Sequence, residues 1–437
     1  MANDCFVADI AAPIKNSLVG GPFGSDLVSK DYVESGVPVI RGTNMGHGRW
    51  VGGDFAYVTE DKADSLTANC AKPGDIIFTQ RGTIGQVALV PNKGAPRYLI
   101  SQSQMKLTVD ESKADSLFLY YLFTSQEQQE YIRLNAIQTG VPHTNLGILR
   151  KTPLTLPTLS KQKAIATVLG ALDDKIELNR RMNETLEAMA RALFQSWFVD
   201  FDPVLAKLAG RAPAALDLAT VALFPDSFQD SAAGHIPKGW TIQSVGEIVD
   251  CVGGGTPSIA EPKYWEGGTH LWTTPKDFSS LQAPVLLDTD RKLTDAGIAK
   301  ISSGLLPVGT LLLSSRAPVG YLAITAVPVA INQGFIALKC NDRASNFFML
   351  NWCRTNMAEI ESRATGTTFA EISKQNFRTI PVVLPPKELM AAFTTKAAPL
   401  YAQITANLHQ SRTLATLRDT LLPKLISGEL LTTGKIK

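Results

Sequence analysis

The sequence predicts an α+β chain: two similar, turn-rich α/β domains and two long helices that pair as an antiparallel coiled coil, all related by an internal repeat. Three observations predict it. Leu156–Phe201 reads as one long helix with no proline after Pro157 near its start. Residues 1–155 and 236–384 share the same order of glycine turns, short β-rich runs and one helix. From Pro153 onward the two halves match without gaps at a constant offset of 228.

The first domain, residues 1–155, is dense in turn signals: Gly20-Gly21-Pro22, Gly42, Gly52-Gly53, Pro73-Gly74, Gly82, Gly85 and Gly94. Between them lie the predicted strands Val37–Arg41, Asp75–Thr79, Val87–Val90 and Gln104–Val109. A helix is expected over Ser116–Leu134, then a polar loop over Gln138–Asn145. The central spacer, 156–201, follows the Pro153/Pro157 punctuation, with Ser160 as its expected N-cap. Leu172, Ile176, Asn179, Asn183, Leu186, Ala190, Leu193 and Trp197 step by four and three along it, which makes a heptad seam. Asparagine on a seam costs stability and fixes register and partner. Such a helix cannot bury its stripe alone.

Residues 202–235 form an Ala/Pro-rich connector whose Val204, Leu205, Leu208, Leu216, Leu223 and Phe224 are expected to pack along a surface. The first pattern then recurs in 236–384. Gly253–Ser258 stands for Gly20–Ser25, and Thr269-His270-Leu271-Trp272 for Val37–Ile40. Leu306–Thr325 echoes Lys72–Val90, which pairs Arg316 with Arg81 and Gly320 with Gly85. Ile331-Asn332-Gln333-Gly334 stands for Ile100–Ser103, a helix over Asn346–Arg363 for Ser116–Leu134, and Thr365-Gly366 for Thr139-Gly140. The last segment, 385–437, repeats the spacer: Leu400, Ile404, Asn407, Leu414 and Leu421 correspond to Leu172, Ile176, Asn179, Leu186 and Leu193. The two orphan stripes satisfy each other if the helices pair. Some 30–40 residues at 1.5 Å each make a spacer of roughly 45–60 Å. Two similar domains on such a spacer suit a bipartite site on a duplex.

Bulk composition bounds the function. A chain of 437 residues with 45% hydrophobic content fits two or three globular domains. No apolar run approaches the ~18 residues of a membrane span. The first residues, MANDCFVADIAAPIK, lack a basic stretch followed by an apolar core, so no secretory leader is expected. Cys5, Cys70, Cys251, Cys340 and Cys353 are scattered, with no CxxC pair, which predicts a reduced, cytoplasmic setting. Net charge is +2, and basic and acidic residues nearly balance, 14 against 15 in residues 1–155 and 15 against 16 in residues 202–384. Only 385–437 is basic, 7 against 3. A nucleic-acid ligand therefore requires local clustering of charge.

Catalytic motifs are missing. No methyltransferase (N/D)PP(Y/F) loop is present; Asp202-Pro203-Val204 lacks its second proline and its aromatic. A nuclease core forced from Pro225-Asp226 and Glu261-Pro262-Lys263 would have Pro262 break the presenting strand. There is no GxxxxGK(S/T) loop, no HExxH and no GxSxG.

Three stretches carry a family resemblance: LPTLSKQKAIATVLGALDDKIELNRRMNETLEAMARALFQSWFVDFDPV, ALFPDSFQDSAAGHIPKGW, and LPPKELMAAFTTKAAPLYAQI with RDTLLPKLISGEL. With the domain order, the chain resembles the specificity (S) subunit of a type I restriction–modification system. The resemblance implies two target-recognition domains, each reading one half of a bipartite asymmetric double-stranded DNA target. It implies helices that set the spacing and dock two modification (methyltransferase) subunits, with restriction (translocase/endonuclease) subunits completing the complex. It also implies a non-catalytic chain that binds no cofactor, with S-adenosylmethionine, ATP and Mg2+ on the partners.

Arg and Lys read guanine or phosphate, Asn and Gln adenine, and Ser and Thr either. The DNA-contact candidates in the first domain are Arg41, Thr43, Asn44, Arg81, Thr83, Gln102, His143, Thr144 and Asn145. In the second they are Thr273, Thr274, Lys276, Arg316, Asn332, Gln333, Thr367, Thr368 and Lys374. Each has a structural alternative. Arg81 and Arg316 either meet DNA or brace turns against carboxylates. Gln102, Asn332 and Gln333 either read bases or satisfy strand ends, and Asn44 either reads adenine or holds a turn. The glycine runs are either turns or phosphate nests. Phe194, Trp197, Phe198 and Phe201 either pack locally or dock a partner subunit. A non-DNA scaffold, a rigid rod with two protein-binding domains, is the alternative for the whole chain.

Overall fold

The computed structural model describes residues 3–46, 48–138, 142–316, 318–366 and 370–430. The chain divides into two compact units, Met1–Glu177 with Ser411–Lys437, and Leu178–Gln410. The division falls inside both long helices, Leu159–Phe198 and Lys387–Ile426.

In the first unit, a four-stranded sheet runs in the order Leu18–Gly20, Gln104–Leu107, Ile76–Thr79, Val87–Leu89. A five-stranded sheet has Val37–Ile40 at its centre, parallel to Tyr98–Ile100. The centre strands are buried on both faces, so they read as continuous apolar runs and not as alternation. The second unit repeats the scheme. His270–Thr273 lies parallel to Ala330–Ile331, and Leu311–Ser314 sits between Leu322–Thr325 and Phe335–Lys339. Asn3–Phe6 pairs with Pro153–Leu156 in the first unit and Thr241–Ser244 with Pro381–Leu384 in the second, so the offset of 228 survives in register.

Some expected boundaries move. Leu156 ends a strand, and the helix starts at Leu159, which puts Ser160 inside the first turn and not at the cap. The helix expected over Ser116–Leu134 is two, Ser116–Thr124 and Gln126–Asn135. Ser125 breaks it by turning extended and capping Gln128 N with its hydroxyl. Asn356 divides the second copy in the same place. The 202–235 connector folds into two short helices and the start of a hairpin. It buries Val204 and Phe224 but leaves Leu205 and Leu208 exposed.

The two long helices run antiparallel in each unit. In the second unit Asn183 lies against Asn407, and further along Phe194 and Phe198 lie against Phe393. Asn179 donates to the Asn407 carbonyl at 3.3 Å and to Gln410 at 2.9 Å. In the first unit Asp173 accepts from Arg418 at 2.7 Å and from the Tyr121 hydroxyl at 2.6 Å. Along the seam Asn179, Asn183, Ile404 and Asn407 are buried, whereas Leu172, Ile176, Leu186, Leu193, Leu400, Leu414 and Leu421 are half-buried.

The aromatic group at the end of the central helix takes the local-packing alternative. Phe194, Trp197 and Phe198 are buried in the core of the second unit with Phe348, Phe393 and Trp240. Phe201 packs edge-on against Phe228 and Trp240. The apolar area of Phe194, Trp197 and Phe198 is spent on folding, at about 1.5–3 kcal/mol per side chain, whereas Phe201 stays half-buried.

Candidate nucleic-acid interface

The parallel strand pair of each unit sends its turns out at one end. In the first unit Ile40 is followed by the Gly42–Asn44 turn, and Ser101 N donates to Ile40 O at 3.0 Å. The Ser101–Ser103 turn then meets the next loop, as Gln80 N donates to Ser103 O at 2.7 Å. Arg81 in that loop bridges to His143, and His143 and Ile137 close the polar loop by exchanging backbone hydrogen bonds of 2.8 and 3.1 Å. The result is a row of turns stapled edge to edge. The second unit builds the same row. Asn332 N donates to Thr273 O at 3.1 Å, Ser315 N to Gly334 O at 2.8 Å, Arg316 bridges to Glu371, and Glu371 pairs with Thr365.

The close approach of these turns explains the glycine runs. A Cβ on Gly21 would lie 2.0 Å from Ser101 O, and one on Gly254 2.0 Å from Ile331 O. Both positions are backbone crossings inside the row, which is the structural reading of those runs.

The row brings most of the candidate side chains together and sorts them by how much of their chemistry is spent. Arg81 and Thr83 are exposed, and among the described residues Arg81 has no carboxylate within ion-pair distance. Thr43 is exposed at its turn. Arg41 is half-buried, with a buried Nε that has no hydrogen-bond partner. It lies close enough to Tyr32 to oppose the rise in phenol pKa that burial causes there. Lys276, Gln333 and Lys374 are exposed, Gln333 accepting from Thr256.

Other candidates are committed to the fold. Asn44 is buried, accepts from Arg41 N at 3.0 Å and donates to Gly52 O and Asp54 O at 3.0 Å each. Gln102 donates to Leu27 O, Asn145 caps the helix Leu146–Arg150, and Thr144 is buried with its N–H on Gln80 O. Thr273 is buried, and Thr274 and Asp277 form a capping box. Asn332 closes its own turn on Gly334 N at 2.9 Å. Arg316 lies 3.6 Å from Glu371, the turn-bracing alternative. His143 is half-buried within the staple. Thr367 and Thr368 lie outside the described residues.

The structure also shifts one alignment. Val39 and Ile40 pair with Leu99 and Ile100 as Trp272 and Thr273 pair with Ala330 and Ile331. His270–Thr273, not Thr269–Trp272, is thus the counterpart of Val37–Ile40. Arg41 then corresponds to Thr274, Thr43 to Lys276 and Asn44 to Asp277, whose carboxylate accepts from Thr274 N at 2.7 Å. Asp277 was not among the candidates; a side-chain acceptor four residues past the strand end is the shared signal.

Among the described residues no group of His, Cys, Asp or Glu is placed to hold a metal ion, and no helix is long and apolar enough to cross a membrane. A family model described as the type I restriction modification DNA specificity domain matches residues 27–188 and 237–391, one match in each copy of the repeat. The chain belongs to the type I restriction–modification DNA specificity family. Specificity chains recognise DNA sequence, and the scaffold alternative finds no support. This chain is 26% identical over 404 residues to the type I restriction enzyme HindI specificity subunit of Haemophilus influenzae, covering 82% of this chain and 87% of that one. It is 24% identical over 380 residues to the MjaIX specificity subunit of Methanocaldococcus jannaschii, covering 85% and 81%. Its fold matches the crystal structure of a type I restriction–modification S subunit from M. genitalium with a TM-score of 0.57, at 17% identity and 97% and 96% coverage.

Proposed function

We propose that this specificity chain reads a bipartite, asymmetric duplex target, one half with each row of turns. The observation that carries this is the repetition of the row with different accessible side chains: Arg41, Thr43, Arg81 and Thr83 in one copy, Lys276, Gln333 and Lys374 in the other. The same backbone frame with a different donor and acceptor set is what two unlike half-sites require. The long helices set the distance between the half-sites.

The chain contributes recognition and performs no catalysis. Two modification subunits, which bind S-adenosylmethionine and methylate adenine, dock on the helices, and restriction subunits bring ATP and Mg2+ chemistry. Met189 and Leu417 support docking at equivalent places. They are repeat partners, 228 residues apart, and are 53% and 44% exposed. An apolar side chain left exposed at the same position of both copies fits two identical partners.

The test is methylation mapping in cells carrying this chain and its modification subunits. Exchange of residues 1–155 for the equivalent domain of a relative should change one half of the methylated sequence and leave the other half and the spacing intact. Lengthening the central helix should change the spacing alone. A domain exchange that altered both halves would sink the proposal.

A further inference from the structure

The row in the second unit is flanked by a side chain that sequence reasoning passed over. Arg291 sits opposite Trp272 in the strand pair Arg291–Leu293/His270–Thr273. Its guanidinium carbon lies 3.7 Å from the Trp265 ring centre and 5.3 Å from that of Trp272. The two indoles meet edge to face at 5.1 Å. Each is pinned: Trp265 Nε1 donates to Ser258 O at 2.9 Å and Trp272 Nε1 to Gly255 O at 3.1 Å. The guanidinium thus rests on a platform with little freedom to move.

Its donors are unspent. Among the described residues the Arg291 guanidinium has neither a hydrogen-bond acceptor nor a carboxylate partner, and none of its nitrogens is buried without one. Elsewhere in the second unit Arg316, Arg354 and Arg363 are ion-paired with Glu371, Glu187 and Glu359, so an unpaired, half-buried arginine stands out. It also adjoins the interface. Trp272 precedes Thr273, whose carbonyl holds the Asn332 turn, and Asp290 N donates to Asp277 in the neighbouring capped turn at 3.1 Å.

We propose that Arg291 is a specificity-determining residue of the second domain and reads a guanine in its half-site. The inference rests on the DNA-reading function proposed above. Stacking fixes the guanidinium plane and leaves its edge of N–H donors facing outward, the fork that matches O6 and N7 of guanine in the major groove. A phosphate contact needs only a charge, and a platform that orients a planar fork adds little to it. The first domain has no equivalent, because the corresponding strand positions hold Ala56 opposite Val39. The guanine is therefore assigned to one half-site only.

The experiment uses the full chain in complex with its modification subunits, and duplexes carrying the methylated target with each position varied in turn. The wild-type complex is expected to discriminate at every specified position. Arg291→Ala should reduce discrimination at one guanine of the second half-site by about 5- to 100-fold and leave the first half-site unchanged. Arg291→Lys should retain most affinity for the target and lose most of that discrimination. Where Arg291→Ala lowers the melting temperature, Arg291→Met, which still covers the Trp265 face, is read in its place. Unchanged discrimination in these variants overturns the assignment while the DNA-reading function stands. So does a uniform loss of affinity on all duplexes with the salt dependence reduced by about one charge, which marks a phosphate contact. A wild-type complex with no sequence preference would instead overturn the DNA-reading function itself.

Discussion

The side-chain amide of Asn407 donates to the side-chain oxygen of Asn183 at 2.9 Å in the middle of the helix seam. Gln403 donates back to Asn407 at 2.8 Å, and Asn179 donates to the Asn407 carbonyl. A polar ladder of this kind is satisfied in one register only, so it selects the antiparallel pairing at some expense in stability. Asn407→Ala leaves Asn183 without its donor and should lower unfolding free energy by about 1–3 kcal/mol. The double variant Asn183→Ala/Asn407→Ala should cost less than the two single changes summed, measured by denaturant titration.

Asn44 and Arg81 separate the structural from the reading residues of the first row. Asn44→Ala removes three hydrogen bonds from a buried turn and should destabilise the chain by about 1–3 kcal/mol. Arg81→Ala should leave stability within about 0.5 kcal/mol of wild type and weaken duplex binding. Thermal melts and binding assays on both variants check this; a stable Asn44→Ala with altered sequence preference would reverse the assignment.

Gly21→Ala and Gly254→Ala should each disrupt one row. The added Cβ meets a carbonyl oxygen at 2.0 Å, which the backbone must move to relieve. A loss of about 1–3 kcal/mol is expected, with selectivity lost at one half-site per variant and kept at the other. Methylation mapping of the two variants distinguishes them.

Burial pushes the Tyr120 phenol up to about 12, with the Asp173 carboxylate adding to the rise. In the unfolded chain it titrates near 10. The stabilising contribution of the neutral phenol is fully present below about pH 10 and is lost as pH rises through about 12. Tyr120→Phe should therefore flatten the fall in stability over that alkaline range, by up to about 3 kcal/mol. Denaturation midpoints at several alkaline pH values, wild type against variant, test it.

Burial also raises the thiols of Cys251, to about 12, and of Cys353. Neither should react with a thiol reagent near neutral pH until the second unit unfolds. Labelling with and without denaturant, read by mass spectrometry, checks this; modification of Cys353 in the native chain would contradict it.

The sequence by itself determined the repeat, the two helices, the order of the domains and the family. These rest on spacing, and spacing is visible in one dimension: a seam every three or four residues, proline at the domain exits, and an offset of 228 that reappears as strand register. It also placed Arg81 and Thr83 on an exposed turn, because the glycines around them mark that turn. What only the tertiary structure decided is which polar groups are already spent. Asn44 and Arg81 look equally suited to a base edge in sequence, but Asn44 is consumed by three backbone partners up to ten residues away. Phe194 and Trp197 look like a docking patch on an isolated helix and become core once Phe348 and Phe393 arrive from the far end of the chain. Arg291 gives no sign in sequence, since its platform is assembled from Trp265 and Trp272 by strand pairing. Burial and hydrogen-bond satisfaction are sums over neighbours distant in the chain, and they separate residues that build the row from residues free to read with it.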